Sequence, residues 1–113
     1  MKDKHVQTLL KVVNELREIK VDLPLTQLHI LLTVMREEGL SAGEVERRVG
    51  QPKSSVTRNI RVLTDRANAE RKGLGLCETR HDTSDIRVKN IYLTQEGKAL
   101  ASRIDEILDR AYN

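Results

Sequence analysis

Residues 82–97 constrain the fold of this chain more than any other segment. The segment begins with aspartate and hydroxyl residues, which are typical of turns. A β-branched run at residues 88–93 follows and favours a strand, and Thr94 is then placed to cap a helix. The order predicts a β-hairpin that leads directly into a helix. We expect its strands at residues 76–80 and 86–93, and the helix at residues 95–111.

The first forty residues carry the spacing of amphipathic helices. Apolar residues recur three and four positions apart over residues 4–19, which predicts a first helix. Pro24 interrupts this pattern, because proline cannot continue a helix but suits the first turn of a new one. A second helix is therefore predicted over residues 25–38, and Gly39 is placed to end it.

Two shorter helices are predicted next. Ser41 and Glu44 have the Ser-x-x-Glu spacing of a capping box, which opens a helix. Residues 50–52 read Gly-Gln-Pro and predict a tight turn. The following helix is expected over residues 53–65, and its buried edge consists of Val56, Ile60 and Leu63. Two helices joined by a glycine-containing turn form a helix-turn-helix.

Composition favours one mainly α domain with a small β-hairpin, spanning residues 1–113. A chain of this length can bury a modest core without disulfides or metal. Cys77 is the only cysteine, so neither an intrachain disulfide nor a thiolate cluster is expected. Because Cys77, His81 and Asp85 fall in different parts of the hairpin, we expect no metal site. No phosphate-binding glycine loop or other cofactor motif is present, and we expect no enzyme.

The sequence lacks the signals of export and membrane insertion. Its N-terminus has no apolar h-region, and it contains no apolar run of membrane-spanning length. We therefore expect a soluble, cytoplasmic protein without a membrane partner.

Positive charge is concentrated in the segment that holds the predicted motifs. The chain has a net charge of +3, but residues 41–94 hold 11 basic and 7 acidic side chains, whereas residues 1–40 are balanced. This distribution is expected if the middle segment faces phosphates. A basic surface that only keeps a small domain soluble is the alternative.

The low aromatic content indicates whether a nucleic-acid partner is single-stranded or double-stranded. Aromatic residues make up 2% of the chain, with no Trp or Phe. Proteins that hold single strands usually stack bases on aromatic side chains, and two tyrosines are a poor platform. A nucleic-acid partner is therefore expected to be double-stranded.

The outer face of the helix at residues 53–65 is cationic and rich in hydroxyls. With the apolar edge inward, Ser54, Arg58 and Arg61 point to the opposite side. Arginine pairs bidentately with guanine, and hydroxyls meet base edges or phosphates. For Ser55 and Thr57 on the flanks, a solvated helix face and a DNA contact remain equal alternatives. The expected DNA-binding residues are Lys53, Ser54, Ser55, Thr57, Arg58, Arg61, Arg80 and Arg87.

The hairpin resembles the wing of the MarR family of winged helix-turn-helix regulators. The motif D-x-x-D-x-R, five residues, then L-T-x-x-G occurs here at Asp82, Asp85, Arg87, Leu93, Thr94 and Gly97. Residues 40–58 are similar to the helix-turn-helix of the same family. The resemblance implies that Arg87 reaches the minor groove from a wing at residues 76–93, and that Asp85 supports it. A salt bridge that only stiffens the hairpin is the alternative for this pair.

The resemblance also implies a homodimer. In MarR proteins the terminal helices interdigitate, which here assigns residues 4–19 and 95–111 to dimerisation and would place two recognition helices one DNA turn apart. The chain departs from the family at residues 64–72, a polar stretch that precedes the wing as an extended helix end or a basic loop. Arg71 and Lys72 are candidate phosphate contacts there. No residue identifies a pocket for an effector.

Together these features predict a sequence-specific regulator of transcription that binds duplex DNA. Repression is the expected sign, because a chain this small has no spare domain for recruiting polymerase. A winged-helix protein-protein adaptor and a replication or partition initiator remain alternatives.

Overall fold

The computed structural model describes residues 1–65 and 71–112. Within these described residues, five helices and three short strands follow in the order α1 Asp3–Ile19, α2 Leu25–Arg36, β1 Leu40–Ser41, α3 Ala42–Val49, α4 Lys53–Leu63, β2 Cys77–His81, β3 Lys89–Leu93 and α5 Gln95–Tyr112. This is the predicted mainly α architecture with a β-hairpin. No described helix is both long and apolar enough to cross a membrane.

Contacts within the chain define two compact units. One holds α2, β1, α3, α4, β2, β3 and the first turn of α5, over residues 24–98. The other holds residues 1–23 with the remainder of α5. The assignment of both units to one domain, with the terminal helices in a dimer, stays a prediction.

The core of the larger unit is built from aliphatic side chains of α2, α3, α4 and the sheet. Ile30 and Leu31 of α2 and Leu63 of α4 are fully buried. The inward positions predicted for α3 and α4 are confirmed, since Val45, Val49, Val56 and Ile60 are also buried. Recurrence at three and four residues therefore identified the buried faces correctly.

The sheet contains one strand more than predicted. Its order is β1-β3-β2 and all pairs are antiparallel, with Leu40 opposite Ile91 and Cys77 opposite Leu93. Strand β1 is only two residues long, too short for an alternating pattern to indicate it. It places the start of α3 beside the hairpin.

Gly39 is not the helix cap that was predicted. Helix α2 ends at Arg36, and Glu37 is its C-cap residue. Gly39 has φ +91° and donates its N–H to Ile91 O at 2.8 Å, so it leads the chain into β1. The left-handed conformation that glycine tolerates is used here to enter a sheet.

The predicted capping box is confirmed. Glu44 donates its backbone N–H to Ser41 Oγ at 3.3 Å, and Ser41 N–H donates to Glu44 Oε1 at 3.2 Å. The Glu44 carboxylate accepts from the Ser41 backbone N–H and also from the Ser41 hydroxyl at 3.1 Å, and these two bonds lower the pKa of the Glu44 carboxyl. The box fixes the start of the first helix of the helix-turn-helix.

Helix α4 is shorter than predicted and ends at Leu63 rather than at residue 65. Thr64 adopts an extended conformation, and its hydroxyl donates to Arg61 O at 2.6 Å. Further along the chain, Leu74 N–H donates to Val62 O and Leu76 N–H to Leu63 O, at 2.8 and 2.9 Å. Residues 66–70, on which most of the predicted departure at 64–72 falls, lie outside the described residues.

The end of the wing motif joins the sheet to the last helix. Thr94 caps α5 as predicted, because its Oγ1 accepts Gly97 N–H at 3.1 Å. The same hydroxyl donates to Gly75 O at 2.6 Å, and Thr94 N–H donates to Leu76 O at 3.0 Å. Leu93 is 5% exposed. These residues hold the base of the hairpin against the start of α5.

Candidate nucleic-acid interface

Helix α4 presents a polar face to solvent because its apolar edge is anchored. Gly50 ends α3 in the left-handed region at φ +71°, and Pro52 precedes α4 with φ −59°. The short turn between them sets α4 against α2 and α3. Of the predicted interface residues, Lys53, Ser54, Arg58 and Arg61 are exposed, and Ser55 and Thr57 are partly buried.

The cations of this face are not neutralised within the described chain. Lys53, Arg58 and Arg61 form no ion pair with any residue in 1–65 or 71–112. Arg48 on α3 differs, because its guanidinium lies 2.9 Å from Glu37. The exposed face of α4 therefore offers its positive charge to an anionic partner.

Arg87 is held at the tip of the hairpin by the carboxylate that the motif places beside it. Its Nε and Nη2 donate to Asp85 Oδ1 and Oδ2, both at 3.1 Å, in a bidentate pair. The backbone N–H of Arg87 donates to Asp85 Oδ1 as well. These bonds lower the pKa of Asp85. Because the Arg87 side chain is 87% exposed, the pair orients a guanidinium that faces solvent.

The backbone around Arg87 is a turn, so the expected strand at residues 86–93 is too long. Strand β3 begins at Lys89, and Val88 N–H folds back onto Asp85 O at 3.0 Å. The two motif residues approach each other through this turn and not through the alternation of an extended strand. The spacing in the sequence correctly predicted that Asp85 and Arg87 interact, but the backbone that joins them is a turn and not the expected strand.

Asp82 closes the hairpin. Its Oδ1 accepts Asn90 Nδ2 at 3.2 Å, and its other oxygen accepts the Ser84 hydroxyl. Both bonds favour the carboxylate and lower the pKa of Asp82, with Ser84 contributing most. The two aspartates of the motif therefore differ, since Asp82 shapes the turn and Asp85 orients the arginine.

Arg80 lies on β2 with its guanidinium already engaged. Its Nε donates to Glu78 Oε1 at 3.2 Å, and its guanidinium carbon lies 4.2 Å from the centre of the Tyr92 ring. The ion pair and the cation–π contact satisfy much of what arginine offers. A DNA contact by Arg80 stays a prediction.

Lys89 is a candidate residue that sequence reasoning missed. It begins β3 and, together with Lys53 and Arg87, lines a groove of about 480 Å³ between α4 and the wing. The small residues Ala42, Gly43 and Thr57 also line this groove. A lysine two residues after the wing arginine was the available signal, but only the fold brings it opposite α4.

Cys77 and its neighbours offer no reactive centre. Cys77 is 1% exposed, and burial raises the pKa of its thiol to about 12, so it is a core residue of β2. The Nδ1 of His81 donates a hydrogen bond to Ile86 O, 2.7 Å away. Across residues 1–65 and 71–112, no three His, Cys, Asp or Glu side chains gather in a group that could hold a metal ion.

This arrangement defines the class of protein. A helix-turn-helix is followed by a two-stranded hairpin, and exposed cations occupy both the second helix and the hairpin tip. That combination is a winged helix-turn-helix, as predicted.

Comparison with known proteins finds one family model that matches part of the chain. The MarR family model matches residues 21–73, which include α2, β1, α3 and α4. The match covers 53 of the 113 residues, and the predicted resemblance to the MarR family is confirmed over this part of the chain. The wing motif at residues 82–97 lies beyond the matched residues. No curated protein sequence matches the chain.

Solved structures share the fold at low sequence identity. The MepR–DNA complex of S. aureus is 23% identical, with a TM-score of 0.67 over 100% of this chain and 79% of that one. A MarR transcriptional regulator from Methanosarcina mazei is 18% identical, with a TM-score of 0.67 over 96% of this chain and 70% of that one. PcaV from Streptomyces coelicolor, solved with its natural ligand, is 24% identical, with a TM-score of 0.61 over 80% of this chain. This chain spans 59% of the PcaV chain.

Proposed function

We propose that this protein binds duplex DNA sequence-specifically and regulates transcription, with α4 in the major groove and the wing at the minor groove. The observation that carries the proposal is the pair of exposed arginine sites on one unit. Arg58 on α4 has no ion-pair partner among the described residues, and Arg87 is held outward by Asp85. A guanidinium that is already oriented loses less entropy when it enters a narrow minor groove.

The fold supports the same proposal. MepR, which has this fold, was solved bound to DNA. The groove between α4 and the wing is lined by three cations, Lys53, Arg87 and Lys89, and by one acid, Glu46, and this excess of positive charge favours the sugar–phosphate strand that separates the two DNA grooves. Sequence would then be read by Ser54, Arg58 and Arg61, and the lysines would contact phosphates.

A triple variant tests DNA binding. Duplexes are selected from a random pool with the wild-type protein, and affinity is measured by fluorescence anisotropy across a salt series. We expect Ser54→Ala, Arg58→Ala and Arg87→Ala together to lower affinity by at least a hundredfold, since a bidentate arginine contact is worth about 1–3 kcal/mol. The salt slope should fall by about 0.9 for each phosphate that the variant no longer neutralises.

A matched variant controls for the loss of two positive charges. Arg17→Ala, Arg36→Ala and Ser102→Ala remove the same residue types from exposed positions on α1, α2 and α5. This control should bind the selected duplex within about twofold of wild type, a difference well below 1 kcal/mol. Undiminished binding by the interface variant would refute the proposal.

We further propose that the functional form is a homodimer built on the terminal helices. Four apolar side chains of α1 remain exposed, namely Val6, Leu9, Leu10 and Val13, at 37%, 51%, 56% and 45%. Only Leu16 of this helix is buried. Because the exposed residues recur at helical spacing on one face, a second copy of the chain would cover them.

The dimer has its own test. Leu10→Glu should produce a monomer in sedimentation equilibrium, and the selected DNA sites should be palindromic with half-sites one helical turn apart. Glu18→Gln, a change at an exposed polar position of α1, should leave the dimer intact. A Leu10→Glu variant that still sediments as a dimer would rule out this face as the interface.

Repression is the sign that we propose for regulation, because a small body bound over a promoter excludes polymerase. A reporter downstream of the selected site should lose expression when the protein is present. If duplex selection yields no enriched sequence, an adaptor that docks its basic face on an acidic protein, or a replication or partition initiator, becomes the better explanation.

A further inference from the structure

A chain of amide hydrogen bonds connects α2 to the recognition helix α4. Gln27 on α2 is only 6% exposed, and its Nε2 donates to Asn59 Oδ1 at 3.1 Å. The Nδ2 of Asn59 donates to Ser55 O at 2.9 Å and contacts Ser55 Oγ at 3.4 Å. A buried glutamine therefore leads, through one side chain, to a hydroxyl on the flank of α4.

The orientation of both amides follows from the backbone. A carbonyl oxygen only accepts, so the amino group of Asn59 must face Ser55 O and its oxygen must face Gln27. Gln27 then has to turn its own amino group toward Asn59. This leaves Gln27 Oε1 buried without a hydrogen-bond partner among the described residues.

The unpartnered oxygen shows that stability alone does not explain the network. A buried acceptor without a partner costs free energy, and apolar side chains of similar shape at both Gln27 and Asn59 would avoid that cost. Unlike apolar packing, the hydrogen bonds between the amides fix the orientation of a side chain. They fix the rotation of the Asn59 amide and hence the group that Ser55 faces.

Ser55 is left as a hydrogen-bond donor. Its Oγ faces the amino group of Asn59, so the hydroxyl hydrogen points elsewhere. The hydroxyls of Thr8 and Thr33 donate to the carbonyl four residues earlier, at 2.9 and 2.7 Å. Ser55 Oγ donates no hydrogen bond to any residue in 1–65 or 71–112.

We infer that Ser55 donates a hydrogen bond to an acceptor atom of DNA, and that Gln27 and Asn59 are the positioning residues that hold it in this role. The inference rests on the proposed function and extends it to the flank of α4. The acceptor is a phosphate oxygen or a base-edge atom such as guanine N7 or O6, or thymine O4.

Affinity and stability separate this role from a structural one. Ser55→Ala should lower affinity for the selected duplex about 3–10-fold, the value of one hydrogen bond. Gln27→Met removes the unpartnered oxygen but also the donor to Asn59 Oδ1, so the urea midpoint should change little while affinity falls about 2–5-fold. In the Ser55→Ala background, Gln27→Met should have no further effect on affinity, because its influence passes through Ser55.

Modified duplexes distinguish the two kinds of acceptor. If Ser55 meets a phosphate, one methylphosphonate will weaken the wild type and not Ser55→Ala. If Ser55 meets a base, one 7-deazapurine or one base change will weaken binding by the wild type and not by Ser55→Ala. Thr33→Val is the control, since that hydroxyl already donates within α2, and it should bind as wild type does.

Three outcomes would overturn the inference. The first is unchanged affinity of Ser55→Ala in a protein that binds its selected duplex, which leaves the proposed function standing. The second is an effect of Gln27→Met that persists without the Ser55 hydroxyl. The third is a wild-type protein that binds no duplex, in which case the proposed function fails together with the inference.

Discussion

Gly97 is the motif position at which a single methyl group should matter most. An ideal Cβ built at this glycine would lie 2.1 Å from Leu76 O and 3.2 Å from Leu93 Cδ2. Ordinary carbon–oxygen contacts are about 3.3 Å or longer, so the backbone would have to move by about 1 Å. The Leu76 carbonyl accepts Thr94 N–H at 3.0 Å, and the movement would strain this bond.

We expect Gly97→Ala to destabilise the protein by about 1–3 kcal/mol. Overpacking against a rigid neighbour costs roughly this amount or more, and the better helix propensity of alanine returns at most about 1 kcal/mol. Gly43 is the matched control, because it also lies in the first turn of a helix. Its nearest neighbours would be Arg47 Nη1 at 3.9 Å and Ser41 Oγ at 4.0 Å. Gly43→Ala should therefore stabilise the protein by about 0.5–1 kcal/mol.

Urea unfolding at one protein concentration measures both changes, since a dimer makes stability depend on concentration. With a slope of about 1–3 kcal/mol per molar, Gly97→Ala should lower the midpoint by roughly 0.5–2 M, whereas Gly43→Ala should raise it. If Gly97→Ala unfolds at the wild-type urea concentration or above, the close approach to Leu76 is not the reason for glycine at this position.

Three further predictions concern titratable groups. Arg87 lowers the pKa of Asp85 below its ordinary 3.8, so the ion pair should persist above pH 3.8 and be lost as the pH falls through the lower pKa of the folded state. Arg87→Ala should therefore raise the Asp85 midpoint in a carboxyl NMR titration. A midpoint that does not move would contradict the pairing. Ser41→Ala keeps the backbone N–H, which lowers the Glu44 pKa most, but removes the hydroxyl, so this pKa should rise part of the way toward its ordinary 4.5. Loss of the cap should cost about 0.5–2 kcal/mol in urea unfolding, and a Glu44 titration that does not move would argue against the hydroxyl bond. The pKa of the Cys77 thiol is raised from 9.0 to about 12, so at pH 8 it should hold roughly a thousandfold less thiolate than an exposed cysteine. An aromatic disulfide reagent should label Cys77 only as the protein unfolds. Rapid labelling of the native protein would show that the thiol is accessible.

The predictions that succeeded depend on residues close together in sequence. The capping box joins positions three apart, and the buried edge of α4 repeats at three and four. The bond between Asp85 and Arg87 spans two residues, so spacing identified the partners even though the backbone there is a turn. Interactions at this range are set by local geometry, which one segment contains within itself.

The features that were missed depend on residues distant in sequence. Strand β1 exists because Leu40 meets Ile91, and two residues carry no period of their own. Lys89 becomes a candidate only when the fold brings β3 opposite α4. The hydrogen bond from Gln27 to Asn59 crosses 32 positions.

Sequence alone therefore predicted the helices, the helix-turn-helix, the wing and the resemblance to the MarR family. Tertiary structure decided which polar groups are already engaged and which face solvent. Arg80 is occupied by Glu78 and Tyr92, whereas Ser55 keeps a free hydroxyl hydrogen because Asn59 approaches it from the other side. The physical reason is that a hydrogen-bonding group is available to a partner only after its contacts with the rest of the chain are made, and those contacts exist only in the fold.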